Sequence, residues 1–148
     1  MKLAFVFPGQ GSQAVGMMGA YGDHAPLASS VSATLAEADQ VLGRPLSVLI
    51  REGPAEALNL TTNTQPAMLA ADVAVWRAWV AAGGPLPVMV AGHSLGEYAA
   101  LVAAGAVDFA AAMRLVAARA QAMQDAVPPG VGAMAAILGL DAEALAQA

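Results

Sequence analysis

Cysteine is absent from this 148-residue chain. That excludes disulfides, thiolate catalysis and cysteine-bound metal. Cations are scarce, with six Lys plus Arg against eleven Asp plus Glu, for a formal charge of −5. Binding a phosphate backbone needs clustered cations, so no nucleic-acid partner is expected. The two histidines, His24 and His93, lie far apart in sequence, which leaves a metal centre without an evident ligand set. Long unbroken apolar runs are missing too. The uncharged stretch over residues 78–92 contains Gly83-Gly84-Pro85 and Pro87, which would break a spanning helix. Residues 3–7 are apolar but are halted by Pro8-Gly9, too early for a signal-peptide core. The hydrophobic content of 58% is inflated by alanine, which suits close helix packing. The expectation is a soluble cytoplasmic protein with no membrane partner.

What the chain does contain is Gly92-His93-Ser94-Leu95-Gly96 between an apolar run and a helix-like segment. Residues 87–91 read as a short buried strand, and residues 97–104 as a helix stopped by Gly105. A serine on the tight turn between strand and helix has the context of a nucleophile elbow, which thrusts the hydroxyl out of the sheet edge. Such a turn points the N–H of Leu95 to where an oxyanion would form, at the positive end of the next helix. Glu97 completes a Ser-x-x-Glu capping box with Ser94 and is expected to be structural. His93 adjoins the serine, but neighbouring side chains at a strand end point to opposite faces. Lining the pocket suits it better than taking the serine proton. His24, in the turn-like stretch Tyr21-Gly22-Asp23-His24, reads as a solvated surface residue. Serine needs a base to act as a nucleophile, and neither histidine fits that role.

Three further residues draw attention, each with two readings. Gln10 lies in the glycine-rich loop 8–13 after a first predicted buried strand at 3–7. Its backbone N–H is either a second oxyanion donor or part of an ordinary turn. Gln65 ends the polar stretch 61–65 and either lines the same pocket or caps a helix predicted from Pro66 to about residue 82. Arg119 lies on a helix predicted over 109–126 with Asp108 as its cap. Its neighbours at helical spacing are Leu115, Val116, Ala122 and Met123, which places the guanidinium on or beside the buried stripe. A cation there wants an anion, either a structural aspartate or a substrate carboxylate held by a two-pronged clamp. Arg114 has alanine neighbours and is expected to be exposed.

The remaining layout predicts helices at 26–42, 47–51 and 55–58, a break at Pro128-Pro129-Gly130, a strand over 133–138 and a helix capped by Asp141. Parallel α/β sheets bury several strands, yet only two good candidates precede the break. The chain therefore reads as the front part of a longer protein.

Phe7-Pro8-Gly9-Gln10-Gly11-Ser12-Gln13, Thr64-Gln65-Pro66-Ala67 and Gly92-His93-Ser94-Leu95-Gly96-Glu97 together resemble the malonyl-CoA:acyl carrier protein transacylases of fatty-acid synthesis. Acyltransferase domains of polyketide synthases share the pattern, and Gly132-Ala133-Met134-Ala135-Ala136 also fits. The resemblance implies an α/β fold. An α/β-hydrolase-like large subdomain with a parallel sheet and nucleophile elbow would include residues 1–127. An inserted ferredoxin-like small subdomain would begin in residues 128–148. The implied partners are malonyl-CoA and acyl carrier protein, with no cofactor. The implied mechanism is ping-pong transfer through a Ser94 ester, with Gln10 and Leu95 as the oxyanion hole and Arg119 as the carboxylate clamp. In the family, the general base is a histidine from much later in a longer chain, and it has no counterpart here. Two competing readings are a serine hydrolase with a similar elbow and a non-catalytic fragment or interaction module.

Overall fold

The computed structural model describes residues 2–22, 25–127, 131, 139 and 141–147. It is an α/β arrangement in which a small parallel sheet sits among helices. Strand β1 (Ala4–Phe7) pairs with β2 (Met89–Gly92), Ala4 opposite Met89 and Phe7 opposite Gly92. Between them run α1 (Ala25–Leu42), α2 (Leu46–Glu52), α3 (Ala55–Leu58) and α4 (Thr61–Ala81); α5 (Gly96–Ala103) and α6 (Phe109–Asp125) follow β2. A short α7 (Ala142–Ala146) lies near the end. No helix among the described residues is long and apolar enough to cross a membrane.

Helix α4 is the hub and packs against α1, α5 and α6. Leu69 and Val73 on α4 are fully buried, along with Leu46 and Ile50 of α2, Leu95 before α5, and Met113 and Val116 of α6. Alanines at Ala67, Ala70 and Ala74 are equally buried, which lets the neighbouring helices approach α4 closely. Asp108 starts α6 as the sequence predicts, its Oδ1 accepting the Ala111 N–H at 2.8 Å. Asp141 caps α7 in the same way through the Ala144 N–H at 2.8 Å.

Two expectations are corrected. First, α4 begins at Thr61, so residues 61–65 are helical and Pro66 lies inside the helix. Proline has no N–H to bond the carbonyl four residues back. Here that carbonyl, Thr62 O, instead accepts from Arg44 Nη2 at 3.1 Å. Arg44 Nη1 also donates to Asn63 Oδ1, and Thr64 Oγ1 donates to Leu58 O at 2.6 Å. Side chains thus offset the missing main-chain bond, a cost that runs to about 3 kcal/mol in an unsupported helix interior. Second, the strands are not buried throughout. Phe7 is buried, but Val6 is 73% exposed and Met89 60% exposed. A two-stranded sheet has an uncovered side, and apolar composition alone cannot say which strands have neighbours. The predicted break at 128–130 and strand at 133–138 lie outside the described residues, as does His24.

One acid is buried without compensation. Asp72 lies on α4 between Leu69 and Trp76 at helical spacing and is only 9% exposed. Its Oδ2 meets no donor among the described residues. Burial pushes its carboxyl up to about 7 from 3.8. The folded chain therefore holds a proton that the unfolded chain releases between these two values. Stability should fall as pH rises from about 4 to about 7 and level off above, a loss approaching about 4 kcal/mol. Asp72→Asn should flatten this part of the profile and be more stable than the parent at pH 8. Urea midpoints measured across pH check the expectation; parallel profiles for both chains would contradict it.

Candidate active site

His93, Ser94 and Leu95 form the turn between β2 and α5. Two main chains cross here at contact distance. A Cβ built on Gly92 would lie 2.1 Å from the carbonyl of Gly96, and one on Gly96 would lie 2.1 Å from Phe7 O. Both positions must lack a side chain for the turn to fold back onto its own strand and onto the end of β1. The crossing is tied by His93 N–H donating to Phe7 O at 3.2 Å and Gly96 N–H donating to His93 O at 2.9 Å. Ser94 takes the strain, with φ +52°, and it is the only non-glycine residue at positive φ among those described. A left-handed conformation costs a residue with a Cβ about 1–2 kcal/mol.

The strained turn aims the hydroxyl at α6. Ser94 Oγ accepts from Arg119 Nη2 at 3.0 Å. Arg119 is half-buried, and its Nη1 donates to Gln65 Oε1. Gln65 is fully buried in the first turns of α4, and its own Nε2 donates to Met123 Sδ at 3.2 Å. Tyr98, one turn into α5, sets its ring centroid 5.9 Å from the guanidinium carbon, within cation–π range. Ser94, Gln65 and Arg119, from three separate elements, thus meet in one cluster. No carboxylate joins it. Arg51–Glu52 and Arg77–Glu37 are the ion pairs among the described residues, so the aspartate partner that the sequence allowed for Arg119 is not found there.

The other candidates are placed differently. Leu95 is buried at the start of α5, and Gln10 is exposed in the loop after β1. Among the described residues, neither backbone N–H meets a protein acceptor. The Gln10 side chain turns away to Thr61 Oγ1, at 3.1 Å. His93 is exposed, and its ring lies over the loop after β1, with Nδ1 3.4 Å from where a Gly9 Cβ would stand. It makes no hydrogen bond to Ser94 among the described residues. The expected capping box does not form: α5 starts at Gly96 with no side-chain cap. The positive φ that points Ser94 toward Arg119 takes its oxygen off the helix N-terminus. Glu97 is exposed in the first turn, where its charge suits the helix dipole.

Tyr98 and Met123 were not singled out as parts of this cluster by the sequence. The spacing held a signal for both, since Tyr98 follows Ser94 by four residues and Met123 follows Arg119 by four. An apolar cavity of about 410 Å³ lined by Met18, Tyr21, Val31, Leu35 and Ile50 is separate and includes none of the cluster.

The acyl transferase domain family matches residues 4–148. The malonyl CoA-acyl carrier protein transacylase of Escherichia coli K12 is 56% identical over 147 residues, spanning 99% of this chain and 47% of that protein. Among solved structures, the acyl-carrier-protein S-malonyltransferase of Burkholderia pseudomallei 1710b is 63% identical, with a TM-score of 0.86 over 97% of this chain and 45% of that one. A malonyl-transacylase solved in complex with its type II polyketide acyl-carrier protein is 53% identical, with a TM-score of 0.79 over 88% of this chain and 41% of that one. The chain spans about half the length of the curated relatives it matches.

The strain at Ser94 is measurable apart from any activity. Ser94→Ala and Ser94→Gly both remove the hydroxyl and its bond to Arg119. The glycine variant should nevertheless be the more stable by about 1 kcal/mol, because only it adopts positive φ without penalty. Denaturant titration of the pair decides it, and an alanine variant of equal or greater stability would mean the turn is not strained.

Proposed function

Because this chain belongs to the acyl transferase domain family, we propose that it carries the nucleophile and carboxylate clamp of a malonyl-CoA:acyl carrier protein transacylase in fatty-acid synthesis. The observation that carries this reading is the Arg119 guanidinium, 3.0 Å from Ser94 Oγ and without a carboxylate partner among the described residues. Malonyl places a single methylene between its thioester carbonyl and its carboxylate. When Ser94 holds the carbonyl carbon, the carboxylate therefore remains within reach of the same guanidinium. A two-pronged charge-assisted pair is the strongest contact available to it. An acetyl group would leave the cation unpaired, and that difference supplies selectivity. A hydrolase of neutral esters has no use for such a clamp.

The geometry supports a nucleophile elbow at Ser94. Ser94 Oγ attacks the thioester carbonyl, its proton passes to a base, and the carbon–sulfur bond breaks to release coenzyme A. The phosphopantetheine thiol of the carrier then attacks the serine ester and regenerates the hydroxyl. Through both tetrahedral intermediates the N–H groups of Gln10 and Leu95 hold the oxyanion. Gln65 orients Arg119 from its buried position, and His93 lines the mouth of the site. Arg119 cannot accept a proton, and Ser94 Oγ meets no basic partner other than Arg119 among the described residues, so the reading takes its base from outside them. The family resemblance assigns it to a later histidine. A carrier protein as acceptor is supported by the similarity to a transacylase solved with its carrier. In this reading residues 1–127 form part of the α/β-hydrolase-like large subdomain, residues 128–148 open the ferredoxin-like small one, and the protein is cytoplasmic, where acyl thioesters are handled.

Because that base lies outside the described residues, the test uses the chain continued through the later histidine. Intact-mass measurement after mixing that longer chain with malonyl-CoA should show one malonyl group on Ser94, absent from Ser94→Ala. Arg119→Ala should lower the rate of malonyl loading by roughly 10- to 100-fold, the loss of a charged hydrogen-bonded pair, with little effect on acetyl loading. Equal losses for the two acyl groups would remove the clamp from the reading.

A further inference from the structure

The loop that carries Gln10 is held by side chains. Every hydrogen bond of residues 9–13 among the described residues uses a side-chain atom. Gln13 folds back so that its Oε1 accepts the Gly11 N–H at 2.8 Å, while its Nε2 donates to Asn59 Oδ1 at 2.8 Å. Gly11 is held at φ +107° in the process. Alongside, Gln10 Nε2 donates to Thr61 Oγ1 at 3.1 Å.

The other end of these bonds is firm. Asn59 closes α3, its N–H donating to Ala55 O at 2.9 Å, and Thr61 opens α4. That junction is braced by Asn63 Nδ2 on Ala57 O at 2.8 Å and by the Arg44 contact to Thr62 O at 3.1 Å. The loop's entrance is fixed separately, where Phe7 O accepts the His93 N–H. One anchor therefore ties the loop to the serine turn, and the other ties it to the start of α4.

We infer that Gln13 and Asn59 form a positioning clasp that sets the direction of the Gln10 N–H before negative charge develops. The inference rests on the proposed acyl transfer at Ser94, which is what makes that N–H an oxyanion donor. Neither side chain touches substrate; both act through Gly11 and the adjoining peptide. A donor aligned in advance needs no reorganisation in the transition state. Asn59 is exposed and Gln13 half-buried, so the clasp adds little to global stability. Its effect on the loop is thereby separable from folding.

Asn59→Leu removes the acceptor, whereas Asn59→Asp keeps an oxygen in the same place. Gln13→Met breaks the clasp from the other side. Asn59→Leu and Gln13→Met should speed hydrogen exchange at the Gly11 amide by roughly tenfold and slow malonyl loading of Ser94 by a similar factor. The KM for malonyl-CoA and the Tm should hardly change, and Asn59→Asp should restore both rates. Unchanged exchange in Asn59→Leu and Gln13→Met overturns the clasp. Faster exchange with undiminished loading overturns its positioning role. Loading is read on the chain continued through the later histidine; should that parent take up no malonyl group, the functional reading fails, and the exchange comparison still judges the clasp.

Discussion

Contact between two main chains, possible only where side chains are missing, governs the rest of this molecule. Gly92 and Gly96 let the peptide after β2 double back against itself and against the end of β1. Any Cβ at either place would sit about 2 Å from a backbone atom, a separation that no rotamer change relieves. The crossing has two results. It forces Ser94 into a left-handed conformation, and it brings the Gln10 loop next to the serine turn. The strain on one residue and the closeness of the loop after β1 to the serine turn therefore share one cause.

Around that crossing the site is assembled from neutral and cationic groups. Gln65 arrives on α4, Arg119 on α6 and Tyr98 on α5, and the guanidinium is met by an amide oxygen, a hydroxyl and an aromatic face. In a chain of net charge −5, a half-buried cation with no protein carboxylate among the described residues is a local reversal of sign. Such groups are costly to bury unless something charged completes them. Asp72 on α4 is the opposite case. It is an acid that burial keeps protonated near neutrality, so it imposes no negative field on the cluster below about pH 7.

The sequence was legible wherever local chemistry decides the outcome. Asp108 and Asp141 cap their helices because a carboxylate before a helix satisfies N–H groups whatever the surroundings. The strand–turn–helix context of Ser94 was equally readable, since glycines at both flanks permit little else. Failures came where a distant partner changed the local answer. Pro66 suggested a helix start, but Arg44 accommodates it inside α4 by taking over the Thr62 carbonyl, and nothing near Pro66 announces that. The Ser94–Glu97 capping box is a good local motif, yet the turn's positive φ sends the hydroxyl elsewhere. Burial of β1 and β2 was overestimated because a strand's exposure depends on how many neighbours it has. The Gln13–Asn59 contact joins residues far apart in sequence, and no periodicity encodes it.

The register of the sheet also has a bearing on the order of assembly. Ala4 meets Met89, so the pairing closes a loop containing four helices. Closing so long a loop carries an entropic penalty that grows with its length, and pairings of high sequence separation slow folding. In the folded chain the helices between the strands hold the two ends together. The serine turn, tied to Phe7 O through the His93 N–H, is therefore organised only where that long loop has closed.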